Sequence, residues 1–352
     1  MISKKQHMSK IDYKKAGVDI DAGNKAVENI KKDVKTTFTP NVLTGLGSFG
    51  SLFSLKTILN DYQDPVLVQS IDGVGTKTII ARKLEKFDTI GIDLLSACSN
   101  DILVMGAKPL TFLDYIANEK LNPLIIKEIV SGMAKGCRET NVALVGGETA
   151  EMPDTYLKNE HDLVGVITGI VEKNKIITGE KIKSGDVLIG LPSNGLHTNG
   201  YSLARKVFFD IGGYSVHDII PELEKPIGLT LLEPHINYTN HIFSVLDSNI
   251  SIHGIAHITG GGLLENIPRI LPEGLGVVIE KKSWPSLPVF SKIQELGNIN
   301  EKEMFRTFNM GIGMVIILDK NSAKNAKKAI GAYSQSFELG TVVSGHKVVE
   351  IL

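Results

Sequence analysis

The stretch Val68–Pro109, VQSIDGVGTKTIIARKLEKFDTIGIDLLSACSNDILVMGAKP, decides how the rest of the chain is interpreted. It opens as a short apolar strand that runs into Asp72 and a glycine turn, Gly73–Lys77. It then carries Asp93 and the pair Asn100–Asp101 along a segment whose apolar residues recur at helical spacing. Acidic side chains beside a glycine turn and a lysine suggest a site where a metal ion bridges phosphate groups.

The glycine turn can bring backbone amides close to an anion. Gly73 and Gly75 allow a close backbone approach, and successive N–H groups can form an anion-binding nest. Lys77 would add a positive charge suited to a phosphate. The turn is not a Walker A loop, because that loop needs G-x-x-x-x-G-K-[ST] and Thr76 here separates glycine from lysine. A hairpin turn in which Asp72 caps its own backbone is the alternative.

Three polar residues follow one face of the predicted helix Ile92–Met105. Asp93 lies seven and eight positions before Asn100 and Asp101, which is two helical turns. Carboxylates buried without partners are costly, so they would need cations. Hard oxygen ligands without a Cys/His cluster favour Mg²⁺ bound together with nucleotide phosphates. A solvated acidic edge of the helix is the alternative.

Further glycine motifs lie outside this stretch. Gly45–Gly50 (GLGSFG) matches GxGxxG, but the preceding residues contain a proline and make a poor buried strand, so the dinucleotide-binding context is missing. A glycine loop that closes over a ligand and a plain turn both stay open. Gly146-Gly147-Glu148 repeats the strand–glycine–carboxylate pattern. Gly260–Gly262 begins a predicted helix, whose N-terminus could bind a second phosphate. His197, beside Asn199, could act as an acid, as a base or as a hydrogen-bond donor to a phosphate, although a single histidine is more often structural.

Composition limits the class of protein. The 352 residues suffice for two domains, and 42% apolar with 22% charged residues is typical of a soluble globular protein. Lys+Arg (38) and Asp+Glu (39) nearly cancel, so the basic excess of a nucleic-acid-binding protein is missing. Cys98 and Cys137 are expected to be buried thiols. The apolar runs are strand-length and MISKKQHMSK lacks the apolar core of a signal peptide, so we expect a cytoplasmic protein without a membrane span.

Strand and helix signals alternate in both halves, which indicates two related α+β or α/β modules. We expect an N-terminal extension with the glycine-rich loop over 1–65, a first domain over 66–171, a charged linker over 172–186 and a second domain over 187–352. Strands are predicted at 66–71, 110–117, 142–145, 163–171, 187–191, 252–258, 277–279, 313–318 and 339–343, and helices at 19–32 (capped by Asp21), 92–105, 123–140, 235–246, 262–270 and 322–333.

Seven motifs occur in the order seen in the phosphoribosylformylglycinamidine cyclo-ligases, also called aminoimidazole ribonucleotide synthetases: SIDGVGTK, DTIGIDLLSACSNDILVMGAKP, FLDY, LVGGETAEMP, LHTNGYSLARK, AHITGGGLLENIPRILP and FRTFNMGIGM. The chain resembles this family from about Tyr13 to its C-terminus. The resemblance implies the fifth step of de novo purine synthesis, in which formylglycinamidine ribonucleotide and ATP give aminoimidazole ribonucleotide, ADP and phosphate. It also implies a homodimer whose N-terminal mixed sheets join into a central β-barrel, with α/β-type C-terminal domains outside.

The resemblance further implies roles for individual residues. Asp72 and Asp101 would hold Mg²⁺ and the ATP phosphates, and Lys77 would face the transferred phosphoryl group. The glycine loop would cover the nucleotide. The implied catalytic residues are Lys77, Asp93, Glu148 and His197; the nucleotide-binding residues are Gly45, Gly47, Gly50, Asp72, Gly73, Gly75, Thr76, Lys77, Asn100, Asp101, Gly146 and Gly147; and the substrate-binding residues are Asn199, Thr259, Gly260, Gly261 and Gly262.

Related ATP-using enzymes are the alternatives, and fold-level analogy does not separate them. They include thiamine-monophosphate kinase and selenophosphate synthetase. The latter would need a reactive cysteine in the glycine loop, and Gly45–Gly50 contains none. A catalytically silent nucleotide-binding protein would be expected to have lost Asp72, Lys77 or Asp101, and all three are present.

Overall fold

Two β-sheets organise residues 11–352, the part of the chain that this computed structural model describes. The segment MISKKQHMSK, on which the expectation about a signal peptide rests, lies outside the described residues. Over residues 11–352, no helix combines the length and the apolar character that crossing a membrane requires.

Within the described residues, the first sheet contains four strands. They are β1 (Pro65–Gly73), β2 (Lys108–Asn118), β3 (Ala143–Glu151) and β4 (His161–Glu172). Their order is β1–β4–β2–β3, with β4 antiparallel to both neighbours and β3 parallel to β2. Side chains alternate between the two faces: Val68 is buried, whereas Leu67 and Ile71 are exposed on the opposite face.

Helices cover one face of this sheet. They are α1 (Ile20–Lys35), α2 (Thr78–Leu84), α3 (Ile90–Leu103) and α4 (Pro123–Thr140). α4 begins with proline at its first position, and the Asn122 side chain accepts a hydrogen bond from Leu124 N, which caps the helix. α3 packs between the sheet and α4, so almost all of its residues are buried.

The second sheet contains six strands within residues 11–352. They are β5 (Val187–Pro192), β6 (Ile252–His257), β7 (Leu275–Ile279), β8 (Ile312–Leu318), β9 (Phe337–Ser344) and β10 (Val349–Ile351). The order is β10–β7–β9–β5–β8–β6, and neighbours are antiparallel except β10 and β7. The second half also contains the helices α5 (Tyr201–Arg205), α6 (Ile227–Leu231), α7 (Thr239–Asp247), α8 (Gly262–Asn266), α9 (Pro288–Gly297), α10 (Glu301–Thr307) and α11 (Ala323–Ile330). Buried residues of α7, α8, α10 and α11 pack with the strands of this sheet, whereas those of α5, α6 and α9 belong to the same core as the first domain.

Several elements differ from the prediction. Asp19, not Asp21, caps α1, because its side chain accepts from the amides of Asp21 and Ala22. β3 does not end at Val145 but continues through the glycines to Glu151, because pairing with β2 holds it extended. In the second half, α7 begins at Thr239 rather than at position 235. Helix α8 is short, α9 and α10 were not predicted, and β10 follows the strand expected to close the chain.

Candidate active site

A row of residues crosses the first sheet from Asp72 to Gly147. Asp72 pairs with Gly165, Gly165 with Asp114, and Asp114 with Gly147. Directly paired residues of neighbouring strands point to the same face of a sheet. A Cβ at Gly165 would lie 3.0 Å from Leu94 of α3, which identifies that face as the helix-covered one. The two carboxylates therefore lie on one face with a glycine between them.

Asp114 is a candidate site residue that the sequence analysis did not single out. Its side chain is half-buried and lines a cavity of about 310 Å³ together with Gly47, Phe49 and Gly147. Burial, and to a lesser degree the charge of Glu148, raises the pKa of Asp114 to about 7. A charged residue inside the alternating strand of the FLDY motif, in register with Asp72 two strands away, is the signal that could have revealed it.

The glycine-rich loop lies against β3. A second cavity of about 360 Å³ is lined by the loop residues Gly45–Ser51 together with Leu113 to Asp114 and Val145 to Glu148. The structure thus brings Gly45, Gly47 and Gly50 next to Gly146, Gly147 and Glu148. Phe49, at the tip of the loop, is fully exposed.

Asp101 lies near the end of α3 and contacts residues of both domains. Its Oδ2 accepts from Ser70 Oγ at 3.0 Å, and its Oδ1 lies 2.9 Å from His257 Nδ1. The Asp72 carboxylate accepts from Gly73 N at 2.7 Å, and burial together with the nearby charge of Asp101 raises its pKa. Over residues 11–352, no group of three or more His, Cys, Asp or Glu side chains forms a metal cluster. Two carboxylates whose charges repel each other fit Mg²⁺, which takes one or two carboxylates and completes its shell with phosphate oxygens and water.

Three histidines from the second domain form a row of contacts that begins at Asp101, which His257 meets at 2.9 Å. His257 Nε2 is 3.2 Å from His235 Nε2, and the ring of His235 stacks on that of His197 with centroids 4.0 Å apart. Burial lowers the pKa of both His197 and His235 well below the usual value. Among the described residues, neither ring nitrogen of His197 has a hydrogen-bond partner. His197 is therefore a buried, neutral imidazole.

Asn100 binds the second domain through its amide. Its Oδ1 accepts from Tyr238 N at 2.9 Å, and its Nδ2 donates to the carbonyl of Ile236 at 2.9 Å. Nδ2 also lies 3.2 Å from His235 Nε2. Because these contacts use both ends of the amide, Asn100 holds the segment before α7 rather than facing an open cavity.

Lys77 lies in the domain boundary, not in a cavity. Its Nζ is 2.8 Å from Asp93 Oδ1, 3.1 Å from the carbonyl of His197 and 2.6 Å from that of Glu233, and the side chain is fully buried. Burial lowers the pKa of Lys77 and raises that of Asp93, while their mutual attraction opposes both shifts. The geometry departs from the expectation that Lys77 faces a transferred phosphoryl group, because the turn directs it against the second domain.

The other predicted residues lie in two turns. Gly75 and Thr76 line a separate cavity of about 270 Å³ with Arg82. Asn199 and Gly260 are neighbours, since a Cβ at Gly260 would lie 3.4 Å from Asn199 Oδ1. Thr259, Gly261 and Gly262 form the rest of that turn, in which a Cβ at Gly262 would lie 2.0 Å from the carbonyl oxygen of Phe305. The last glycine is thus explained by close packing against α10, and α8 is too short to provide an anion site.

The chain was compared with known proteins. The family model described as AIR synthase related protein, N-terminal domain, matches residues 57–171, and that for the C-terminal domain matches residues 183–352. A phosphoribosylformylglycinamidine cyclo-ligase of Bacillus cereus (strain G9842) is 51% identical over 334 residues, covering 95% of this chain and 96% of the relative. One of Brevibacillus brevis (strain 47 / JCM 6285 / NBRC 100599) is 48% identical over 338 residues, covering 96% and 97%. The chain belongs to the phosphoribosylformylglycinamidine cyclo-ligase family. The resemblance drawn from the motifs is confirmed, and so is the prediction that the protein is an enzyme of the ligase class.

Solved structures show how widely the fold of this cyclo-ligase family is shared. E. coli HypE, a hydrogenase maturation protein, has a TM-score of 0.66 at 16% identity, covering 94% of each chain. Thiamine-monophosphate kinase from Stenotrophomonas maltophilia K279a has a TM-score of 0.68 at 16% identity, covering 93% of this chain and 95% of that one. At such identity the likeness concerns the fold alone, and it confirms the two-domain arrangement of helices and mixed sheets.

Proposed function

We propose that this family member converts formylglycinamidine ribonucleotide and ATP into aminoimidazole ribonucleotide, ADP and phosphate. The observation that carries the proposal is the sheet face on which Asp72 and Asp114 lie in one row beside the cavity of the glycine-rich loop. Identities of 48% and 51% over nearly the whole chain to proteins named as cyclo-ligases support this reaction among those that the fold could serve.

ATP is proposed to bind beneath the glycine-rich loop. Gly45, Gly47 and Gly50 line a cavity with Gly146 and Gly147, so backbone can approach a ligand without obstruction by side chains. A HypE structure determined in complex with ATP covers 94% of this chain with a TM-score of 0.66, which supports nucleotide use within the fold.

Mg²⁺ is proposed to be held by Asp72 and Asp101. The raised pKa of Asp72 reflects burial and the charge of Asp101, and a divalent cation would relieve that repulsion. When bound, the ion supplies charge neutralisation for the phosphates of ATP. Asp101 would keep its orientation through Ser70 and His257, which bond its two oxygens.

The reaction has two steps. The formyl amide oxygen of the substrate attacks the terminal phosphoryl group of ATP and releases ADP. An amidine nitrogen then attacks the activated carbon, closes the ring and expels phosphate, and that nitrogen loses a proton. Holding the two reactants in line supplies much of the rate enhancement. Glu148 is exposed at the cavity and is the proposed catalytic carboxylate. The turns that hold Asn199 and Gly260, which neighbour each other, are proposed to bind the ribose phosphate.

The decisive assay measures ATP-dependent formation of aminoimidazole ribonucleotide from formylglycinamidine ribonucleotide. Thiamine monophosphate serves as the competing acceptor, and ADP formation with that acceptor alone would refute the proposal.

Asp72→Asn and Asp101→Asn should each abolish ATP turnover while the protein remains folded. Asp64→Asn, which removes an exposed carboxylate of a surface ion pair, is the matched control and should retain activity. Turnover like that of the wild type in both site variants would refute the metal assignment.

A further inference from the structure

We propose that Lys77 and Asp93 are positioning residues, which fix the stacked pair His197 and His235 across the domain boundary. The proposal rests on the proposed cyclo-ligase function for its catalytic consequence. It replaces a phosphate-binding role for Lys77 with a role that acts through the backbone of the second domain.

The ammonium group of Lys77 has no capacity left for a ligand. Three acceptors surround Nζ: Asp93 Oδ1 at 2.8 Å and the carbonyls of His197 at 3.1 Å and Glu233 at 2.6 Å. An ammonium group has three N–H donors, so these contacts use all of them. The side chain is fully buried, so a phosphate could reach Nζ only if the two domains separated.

Asp93 completes the arrangement from the same domain. Its Oδ1 accepts from Lys77 Nζ and also from the backbone amide of His235 at 2.6 Å. One ion pair of the first domain therefore binds a backbone group of each stacked histidine: the carbonyl of His197 and the amide of His235. Two charges buried together in this way contribute geometry more than net stability.

The bond to His197 is made where the backbone is unfavourable. His197 has φ of 60°, the left-handed region, which is disfavoured for a residue with a Cβ. Its ring has no hydrogen-bond partner within the described chain and is held by packing, since it stacks on His235 and a Cβ at Gly313 would lie 2.5 Å from its Cε1. The Lys77 bond holds its carbonyl. Removing Lys77 frees the turn to relax to an ordinary conformation, which would unstack the rings.

Displacement of the rings would reach the proposed metal site. His235 contacts His257 through their Nε2 atoms at 3.2 Å, and His257 contacts Asp101 at 2.9 Å. The chain of contacts thus runs from the ion pair to the carboxylate that we assign to Mg²⁺. Because small displacements at a phosphoryl-transfer site cost large factors in rate, the pair should affect kcat more than ATP affinity.

Three variants test the positioning role in the full-length protein. Lys77→Met removes the charge, Lys77→Arg keeps it in a shape that does not match three acceptors around one nitrogen, and Lys77→Met with Asp93→Asn removes both charges while leaving an acceptor for His235 N. The double variant guards against misfolding from an unpaired buried carboxylate. Lys292→Met is the control, because the Lys292 side chain is only 13% exposed and forms ion pairs with Glu222 and Glu295.

Three measurements are made on each variant: kcat for ring closure, the Kd for ATP by calorimetry, and the ring Cε1–H resonances of the histidines. We expect kcat to fall about 100-fold in all three variants, with the Kd for ATP within about 3-fold of the wild type. The resonances of His197 and His235 should shift, while those of the exposed His217 and His346 stay in place. In the double variant His197 should shift more than His235. Lys292→Met should leave all three measurements unchanged.

The alternatives give different results. If Lys77 contacts a phosphate of ATP, Lys77→Met weakens the Kd for ATP by about 30-fold or more and Lys77→Arg recovers much of the binding; that outcome overturns the proposal. Unchanged resonances of His197 and His235 in the double variant overturn it as well. If the wild-type protein forms no aminoimidazole ribonucleotide, the proposed function fails, and the resonances and the ATP affinity still decide the role of the pair.

Discussion

At the scale of single residues, burial shifts the pKa of acids and of bases in opposite directions. Asp114 lines the cavity under the glycine-rich loop and has its pKa raised to about 7, whereas burial lowers the pKa of His241 on α7 to about 4. Each shift makes the stability of the protein depend on pH, with opposite sign.

Asp114→Asn should remove a loss of stability that the wild type suffers as the pH rises above about 4. The folded state binds a proton at Asp114 more tightly than the unfolded chain, so the wild type loses stability as pH rises from about 4 to about 7. Because the side chain is only half-buried, we expect the variant to be more stable than the wild type by about 1–2 kcal/mol at pH 8 and equal to it near pH 4. Urea unfolding at the two pH values measures the difference. An equal difference in stability between the variant and the wild type at pH 8 and at pH 4 would contradict the raised pKa of Asp114.

His241→Phe should remove a loss of stability at acid pH. The His241 ring packs against Tyr238 and Tyr333, and its Nδ1 is buried without a partner in the described chain. The neutral ring is favoured in the fold, so the wild type loses stability as pH falls from about 6.5 towards 4. Between pH 7 and pH 4.5 the loss should amount to about 2–3 kcal/mol and should be absent from the variant. Equal losses in both proteins, measured by urea unfolding, would show that other groups cause the effect.

Residue types indicated that Asp72 and Asp101 lie close together, but they gave less information about the neighbouring histidines. Asp72 and Asp101 lie in one continuous stretch, so a strand, a turn and a helix were enough to place them near each other. His235 gave no signal, because it meets Asn100 and Asp93 from more than 130 positions away. Lys77 carried a plausible signal for phosphate binding, and the second domain, whose position no local pattern contains, provides two of its three acceptors.

At the scale of elements, local signals succeeded where a side chain fixes the backbone. Pro123 and the Asn122 cap set the start of α4, and the predicted bounds of that helix are confirmed. They failed where pairing overrides propensity. Gly146 and Gly147 suggested the end of a strand, yet β3 continues because β2 supplies hydrogen-bond partners on its side.

Glycines set the distance between α3 and α4. A Cβ at Gly91 would lie 2.0 Å from the carbonyl oxygen of Ile129, a contact with rigid backbone. Gly91→Ala should therefore force the helices apart and lower the free energy of unfolding by about 1–3 kcal/mol or more. Gly23→Ala is the matched control, since a Cβ there meets nothing within 4 Å in α1, and it should raise stability by about 0.5–1 kcal/mol. Chemical denaturation of both variants tests the pair, and a neutral Gly91→Ala would contradict the close approach.

At the scale of the molecule, polar residues of α3 join the two domains. Asp93, Asn100 and Asp101 contact the segments that hold His235, Tyr238 and His257. The sequence suggested that this polar face binds cations and phosphate, because a buried acidic face needs partners. Asp93 pairs with the cation of Lys77 in its own domain, and the second domain bonds Asp93 through His235 N and Asn100 through Tyr238 N. The binding of Mg²⁺ and phosphate near Asp101 stays a prediction.

We predict that the chain forms a homodimer and that it does so through the open face of the first sheet. Leu67 is 58% exposed, Ile71 67% and Leu113 41%, and all three project from the face opposite the helices. Exposed apolar side chains that share one sheet face are typical of an interaction site, and a second copy that presents the same face would complete a barrel between the two sheets. The double substitution Leu67→Lys with Ile71→Lys would place two charges in that interface without disturbing the helix-covered core. We expect the dimer dissociation constant to rise by about 100-fold or more, measured by sedimentation equilibrium.

The control is Leu157→Lys, at a loop position that is 74% exposed, which should leave the dimer dissociation constant unchanged. A dimer that survives the double substitution with its original affinity would place the interface elsewhere.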